Sequence, residues 1–133
     1  MRKFFYEELL KILMNTMANL NELDEETKKK FQNLTQVGQT LELLTQQKIQ
    51  IDSSIRETEL ALEELEKASS DTTVYKQIGG ILVRSERDKL LEEKKNDKET
   101  LNMRSTTLAQ KIERTKSTFE QMQKSLQADL SNQ

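Results

Sequence analysis

The nearest this chain comes to catalytic equipment is two pairs of adjacent glutamates, Glu63-Glu64 and Glu92-Glu93. Paired carboxylates do acid–base chemistry when their surroundings push their pKa values apart. On a helix, neighbours one residue apart face different ways, so these pairs read as solvated charge. The chain has no His and no Cys. The commonest general base, the thiol nucleophile and the soft metal ligands are therefore all missing. Gly79-Gly80 is not followed by the GK[ST] of a phosphate-binding loop. We expect no enzymatic activity, no cofactor and no metal. What remains is the chemistry of binding: apolar contact, and backbone hydrogen bonds left open at a strand edge.

Composition says which elements must carry that binding. Of 133 residues, 33% are charged, 34% hydrophobic and only 5% aromatic, with no Pro and Gly only at positions 38, 79 and 80. Such a mixture reads as long helix or coiled coil, not a compact globule. Net charge is -2, with both signs interleaved. No basic stripe points to nucleic acid. No stretch reaches the roughly 20 apolar residues of a membrane span. Absence of Cys is compatible with a reducing, cytoplasmic location. Residues 1–20 are expected to be an N-terminal extension. Phe5, Leu9, Ile12 and Leu13 would share one face of an amphipathic helix, while Glu7, Glu8 and Lys11 break any signal-peptide core. The better-fitting reading puts this extension outside the core domain, with Met17 opening the domain proper.

Two heptad-patterned arms follow. In the first, alternating three-and-four spacing lands on Leu34, Val37, Leu41, Leu44, Lys48, Ile51, Ile55, Thr58, Leu62 and Leu65, all apolar except Lys48 and Thr58. This predicts a helix over 21–68, with Asn21 as N-cap and Asp24 and Glu25 opposing the helix dipole in its first turn. The second seam runs Leu91, Lys94, Lys98, Leu101, Ser105, Leu108, Ile112, Thr115, Phe119, Met122 and Leu126. It predicts a helix over 85–131, with Ser85 and Asp88 spaced as a capping box. Matched arms joined by a short connection pack antiparallel. Folding about the connection sets Ile55 near Leu101, Leu44 near Ile112 and Leu34 near Met122. Lys94 and Lys98 would reach out of the seam to water.

Between the arms, TTVYKQIGGILVRS has the β-branched content and Gly-Gly centre of a β-hairpin, expected over 72–84. Pairing about that centre puts Val74, Ile78, Ile81 and Val83 on one face and Tyr75 and Leu82 on the other, with Gln77 and Arg84. Both faces are thus apolar in part. A lone two-stranded hairpin is marginal in water, and its edges are templates for another chain. We therefore expect an assembly element built of Val74, Tyr75, Ile78, Gly79, Gly80, Ile81, Leu82 and Val83. The fold class is mainly α: an antiparallel two-helix coiled coil with a single β-hairpin at its base.

The run from Val74 to Arg84, with ALEELEKAS upstream, resembles the beta class of the prefoldin family, its archaeal form most of all. The resemblance spans about residues 24–130, and residues 1–20 depart from it. Alpha-class chains carry two hairpins, whereas this chain has room for one. The resemblance implies a hetero-hexamer of alpha-type and beta-type subunits joined through their hairpins. It implies an ATP-independent holdase that captures non-native client proteins at the coiled-coil tips and passes them to a group II chaperonin. The residues placed at those tips are Leu20, Leu23, Phe31 and Leu34 from the first arm, with Phe119, Met122, Leu126 and Leu130 from the second. The rival reading is a structural coiled-coil tether or adaptor that oligomerises through its hairpin.

Overall fold

A computed structural model of the chain describes residues 24–132 together with Glu7, Leu10 and Lys11. The latter three are helical and exposed; the rest of the 1–20 extension, Leu20, Asn21 and Leu23 lie outside the described residues. In order come helix α1 (Glu25–Lys67), strands β1 (Thr73–Ile78) and β2 (Ile81–Glu86), and helix α2 (Arg87–Ser131). Two long helices with one antiparallel two-stranded hairpin between them is the fold class the heptads and the Gly-Gly turn predict.

Local chemistry sets the element ends. Asp24 caps α1: its Oδ1 accepts the Thr27 backbone N–H at 2.7 Å, satisfying a donor the helix cannot. Thr27's hydrogen bonds, from its side chain first and its backbone second, hold the Asp24 carboxyl below its ordinary range. The capping box expected at Ser85 does not form the start of α2. Ser85 and Glu86 instead extend β2, opposite Val74 and Thr73, and the helix begins at Arg87. The ladder continues because a cross-strand partner is available for both residues.

The chain divides into two compact units, Met1–Thr45 with Gln110–Gln133, and Gln46–Ala109. In the first, Leu34, Phe119 and Leu126 form a core with exposures of 0%, 1% and 0%, flanked by half-buried Phe31, Val37, Met122 and Leu130. Lys30 spans the two helices of this unit, donating to Asp129 at 2.5 Å and to Ser125 at 3.3 Å. The bond to Asp129 is the main cause raising the Lys30 pKa.

In the second unit Leu62, Leu65, Leu90 and Leu108 are buried. Leu90 is not among the expected seam residues, yet it is buried, while its neighbour Leu91, which is, is half-buried. Two cross-helix contacts define the register. Ser105 donates to Asp52 at 2.7 Å, and Lys98 pairs with Glu59 at 3.7 Å. One heptad forward on α1 is one heptad back on α2, the signature of antiparallel seam packing. Lys94 and Lys98, about one-third exposed, place their ammonium groups beside Asp97 and Glu59 at the rim, as long cationic side chains at a seam do.

Lys48, the third lysine of the seam, donates to Asp52 at 2.7 Å. That bond, followed by the one from Ser105, holds the Asp52 carboxyl below its ordinary range. A depressed folded-state pKa contributes stability that is present above the unfolded value of about 4 and lost as pH falls through the folded value. We expect the melting temperature, followed by circular dichroism, to drop on acidification below about pH 4. Asp52→Asn should flatten part of that drop. Parallel curves for the two proteins would show that Asp52 is not coupled to folding.

The hairpin ladder pairs Tyr75 with Arg84, Lys76 with Val83, Gln77 with Leu82 and Ile78 with Ile81. Of the two turn glycines only Gly79 has a positive φ, at +59°, so one glycine, not both, supplies the left-handed residue. A positive φ at the first central position alone is what a type II′ turn requires. A Cβ at either glycine would meet no neighbouring atom. The expected asymmetry is therefore conformational. Gly79→Ala should destabilise the hairpin by about 1 kcal/mol, while Gly80→Ala changes little, as read from amide exchange in β1 and β2.

Candidate functional site

The hairpin presents two unlike faces. One carries Val74, Lys76 and Ile78 from β1 with Ile81, Val83 and Ser85 from β2; the ladder places Tyr75, Gln77, Leu82 and Arg84 on the other. The first face is covered only at its root, where Val74, Lys76 and Ser85 are half-buried. Further out, Ile78 and Ile81 are 52% and 63% exposed, and on the second face Tyr75 and Leu82 reach 58% and 69%. Each strand also has one edge with no ladder partner among the described residues. All eight expected assembly residues thus sit on one hairpin, Gly79 and Gly80 in its turn, with the larger apolar ones mostly uncovered. That is the condition under which edge pairing with another chain is favourable.

Two contacts that spacing did not reveal anchor this sheet. Lys76 donates to Glu93 of α2, and this bond is the leading cause holding the Glu93 carboxyl below its ordinary range. Glu93, one of an adjacent glutamate pair, is therefore a structural anchor. Arg87, the first residue of α2, donates from Nε to the Leu65 carbonyl at 2.7 Å and from its terminal nitrogen to the Glu66 carbonyl at 3.3 Å. Those carbonyls belong to the last turn of α1, which has no helical donor for them. Neither contact carries a local sequence signal: Glu93 is 17 residues from Lys76, and the partners of Arg87 are backbone atoms.

The expected client-binding residues divide differently. Leu34, Phe119 and Leu126 are fully buried in one cluster, while Phe31, Met122 and Leu130 line it half-buried. Of the eight residues expected at the tips, Leu20 and Leu23 lie outside the described residues, and of the other six three are buried and three half-buried around them. Complementary heptad positions satisfy each other first. Large apolar side chains that the seam reading did not single out are exposed elsewhere, including Leu43 at 59%, Leu60 at 63% and Met103 at 67%. These stand outside the three-and-four spacing, so periodicity could not flag them.

Among the described residues no group of His, Cys, Asp and Glu is placed to hold a metal, and no helix is long and apolar enough to cross a membrane. Paired coiled-coil helices with an uncovered hairpin between them define a helical subunit whose prominent surface is a small, unfinished sheet. A family model for prefoldin subunits matches residues 28–133, and the chain belongs to the prefoldin family of chaperone subunits. It is 35% identical over 114 residues to prefoldin subunit beta of Archaeoglobus fulgidus, covering 86% of this chain and 98% of the relative. Identity to prefoldin subunit beta of Methanosarcina acetivorans is 32% over 110 residues, covering 83% and 94%. The crystal structure of the prefoldin beta subunit from Thermococcus strain KS-1 matches with a TM-score of 0.70 and 27% identity, covering 79% of this chain and 92% of that one.

Proposed function

We propose that the chain is a beta-type subunit of a hetero-hexameric, ATP-independent holdase. It assembles through its hairpin with alpha-type and further beta-type prefoldin subunits in the cytoplasm. It captures non-native proteins near the helix ends and passes them to a group II chaperonin. The observation that carries this reading is the hairpin itself: a two-stranded sheet with Tyr75, Ile78, Ile81 and Leu82 more than half exposed is unfinished as a monomer.

Client capture follows from the same physics near the free helix ends. Burying one large apolar side chain is worth about 1.5–3 kcal/mol. Partial contacts at Phe31, Met122 and Leu130 therefore give one tip only about millimolar affinity. Several tips acting on one unfolded chain raise the effective affinity by orders of magnitude. Plural weak contacts also release without nucleotide hydrolysis. Met122 adds a flexible thioether suited to varied partners.

The test is suppression of aggregation of a denatured protein by this chain mixed with an alpha-type prefoldin subunit. Phe31→Ser combined with Met122→Ser should weaken suppression several-fold while helical content stays. Suppression unchanged in that variant would remove the tips as the client site. No suppression by the assembled wild type would favour a tether.

A further inference from the structure

We propose that Lys76, Glu93 and Arg87 form a clasp that sets the angle of the hairpin on its helices, and that these three are positioning residues for assembly. The inference rests on the reading that the hairpin is the joint between subunits. It concerns what holds that joint in shape before a partner arrives.

The hairpin is attached to the helices unequally. β2 runs directly into α2, with Glu86 the last strand residue and Arg87 the first helical one. β1 is reached from α1 through residues 68–72, where the Thr72 N–H donates to the Ser69 carbonyl at 3.0 Å. Packing holds the sheet only at its root, where Val74 and Ser85 are half-buried, while Ile78 and Ile81 on the same face are more than half exposed. The polar contacts remain. Lys76 crosses from β1 to Glu93 on α2. Arg87, with its side chain 18% exposed, ties the first residue of α2 to the Leu65 and Glu66 carbonyls of α1. The two helix ends from which the hairpin hangs are thus held together, and the hairpin is pinned to one of them.

A sheet that several chains complete must present its edges at one angle. A hairpin free to swing would have to be ordered on association, which weakens binding without loss of any contact in the joint. Arg87 suits its task because a planar fork can serve two carbonyls together, whereas an ammonium is a point donor.

The test compares the wild type with K76E, E93K, the K76E/E93K double variant, R87A and R87K. Association with an alpha-type prefoldin subunit is titrated by native mass spectrometry, with helicity checked by circular dichroism. K76E and R87A should each bind about tenfold more weakly with helicity unchanged. The charge swap K76E/E93K should recover most of the loss, and R87K should not. Wild-type affinity in K76E and R87A, or a double variant no better than its parents, overturns the clasp.

A second measurement does not depend on assembly. The chain lacks Cys, so spin labels can be placed at Q77C and K95C, both exposed positions of one compact unit. The distance distribution in the isolated chain should broaden when K76E or R87A is added. If the wild type joins no partner but the distribution broadens, the clasp stands and the assembly reading falls. An unchanged distribution removes the clasp whatever the assembly does.

Discussion

Ile78→Asp combined with Ile81→Asp should abolish association with a partner subunit while the far-ultraviolet signal of the two helices remains. These residues face each other across the turn as a ladder pair and are 52% and 63% exposed. Carboxylates there stay hydrated in the isolated chain, so folding is little disturbed. In an assembly that buries this face, each carboxylate would lose its water with no cation supplied for it. Burying an uncompensated charge costs several kcal/mol. Even about 3 kcal/mol means more than a hundredfold loss of affinity. Sedimentation of an equimolar mixture with an alpha-type prefoldin subunit reads the result directly. A complex of wild-type mass would show that subunits meet elsewhere.

Phe119→Ala should lower the stability of its unit by about 3–5 kcal/mol, the range for removing a buried aromatic ring. Phe119 is 1% exposed and packs against Leu34 and Leu126, both at 0%. A hole there leaves two leucines without partner atoms, and a helix pair has few neighbours that could close it. Met103→Ala is the control: at 67% exposure it should shift stability by no more than about 0.5 kcal/mol. Thermal unfolding followed at 222 nm distinguishes them. Equal melting temperatures would mean that the Leu34–Phe119–Leu126 cluster contributes nothing to folding. The pair also bears on client capture, since a residue this buried acts on stability first. Half-buried Phe31 and Met122 are the better probes of a client surface.

The seam was legible because heptad spacing is a local property. Leu34, Leu41, Leu62, Leu65, Leu108, Phe119 and Leu126 were assigned to it by spacing, and all are buried. The hairpin faces were legible for a similar reason. Once the turn is centred on Gly79-Gly80, the two-residue alternation of a strand decides which side chains share a side. Assigning Ser85 to a helix cap failed because the same residue could cap or pair. The choice depended on Val74 being opposite it, which no local pattern contains. The cap of the first helix, expected at Asn21, stands instead at Asp24, which accepts the Thr27 N–H three residues on.

Sequence by itself determined the element types, the antiparallel pairing of two seams and the apolar, unfinished character of the hairpin, since all three follow from periodicity and from turn chemistry. Tertiary structure alone decided which greasy side chains are hidden and which are offered. Leu34, Phe119 and Leu126 disappear into one another, while Tyr75, Ile81 and Leu82 have nothing to disappear into. It alone also joined Lys76 to Glu93, Asp52 to Ser105 and Arg87 to the carbonyls of Leu65 and Glu66. The reason is one of range. A repeat is written in neighbouring residues, but a hydrogen bond between residues 17, 53 or 22 positions apart exists only when two helices and a sheet bring rotamers and backbone atoms within about 3 Å.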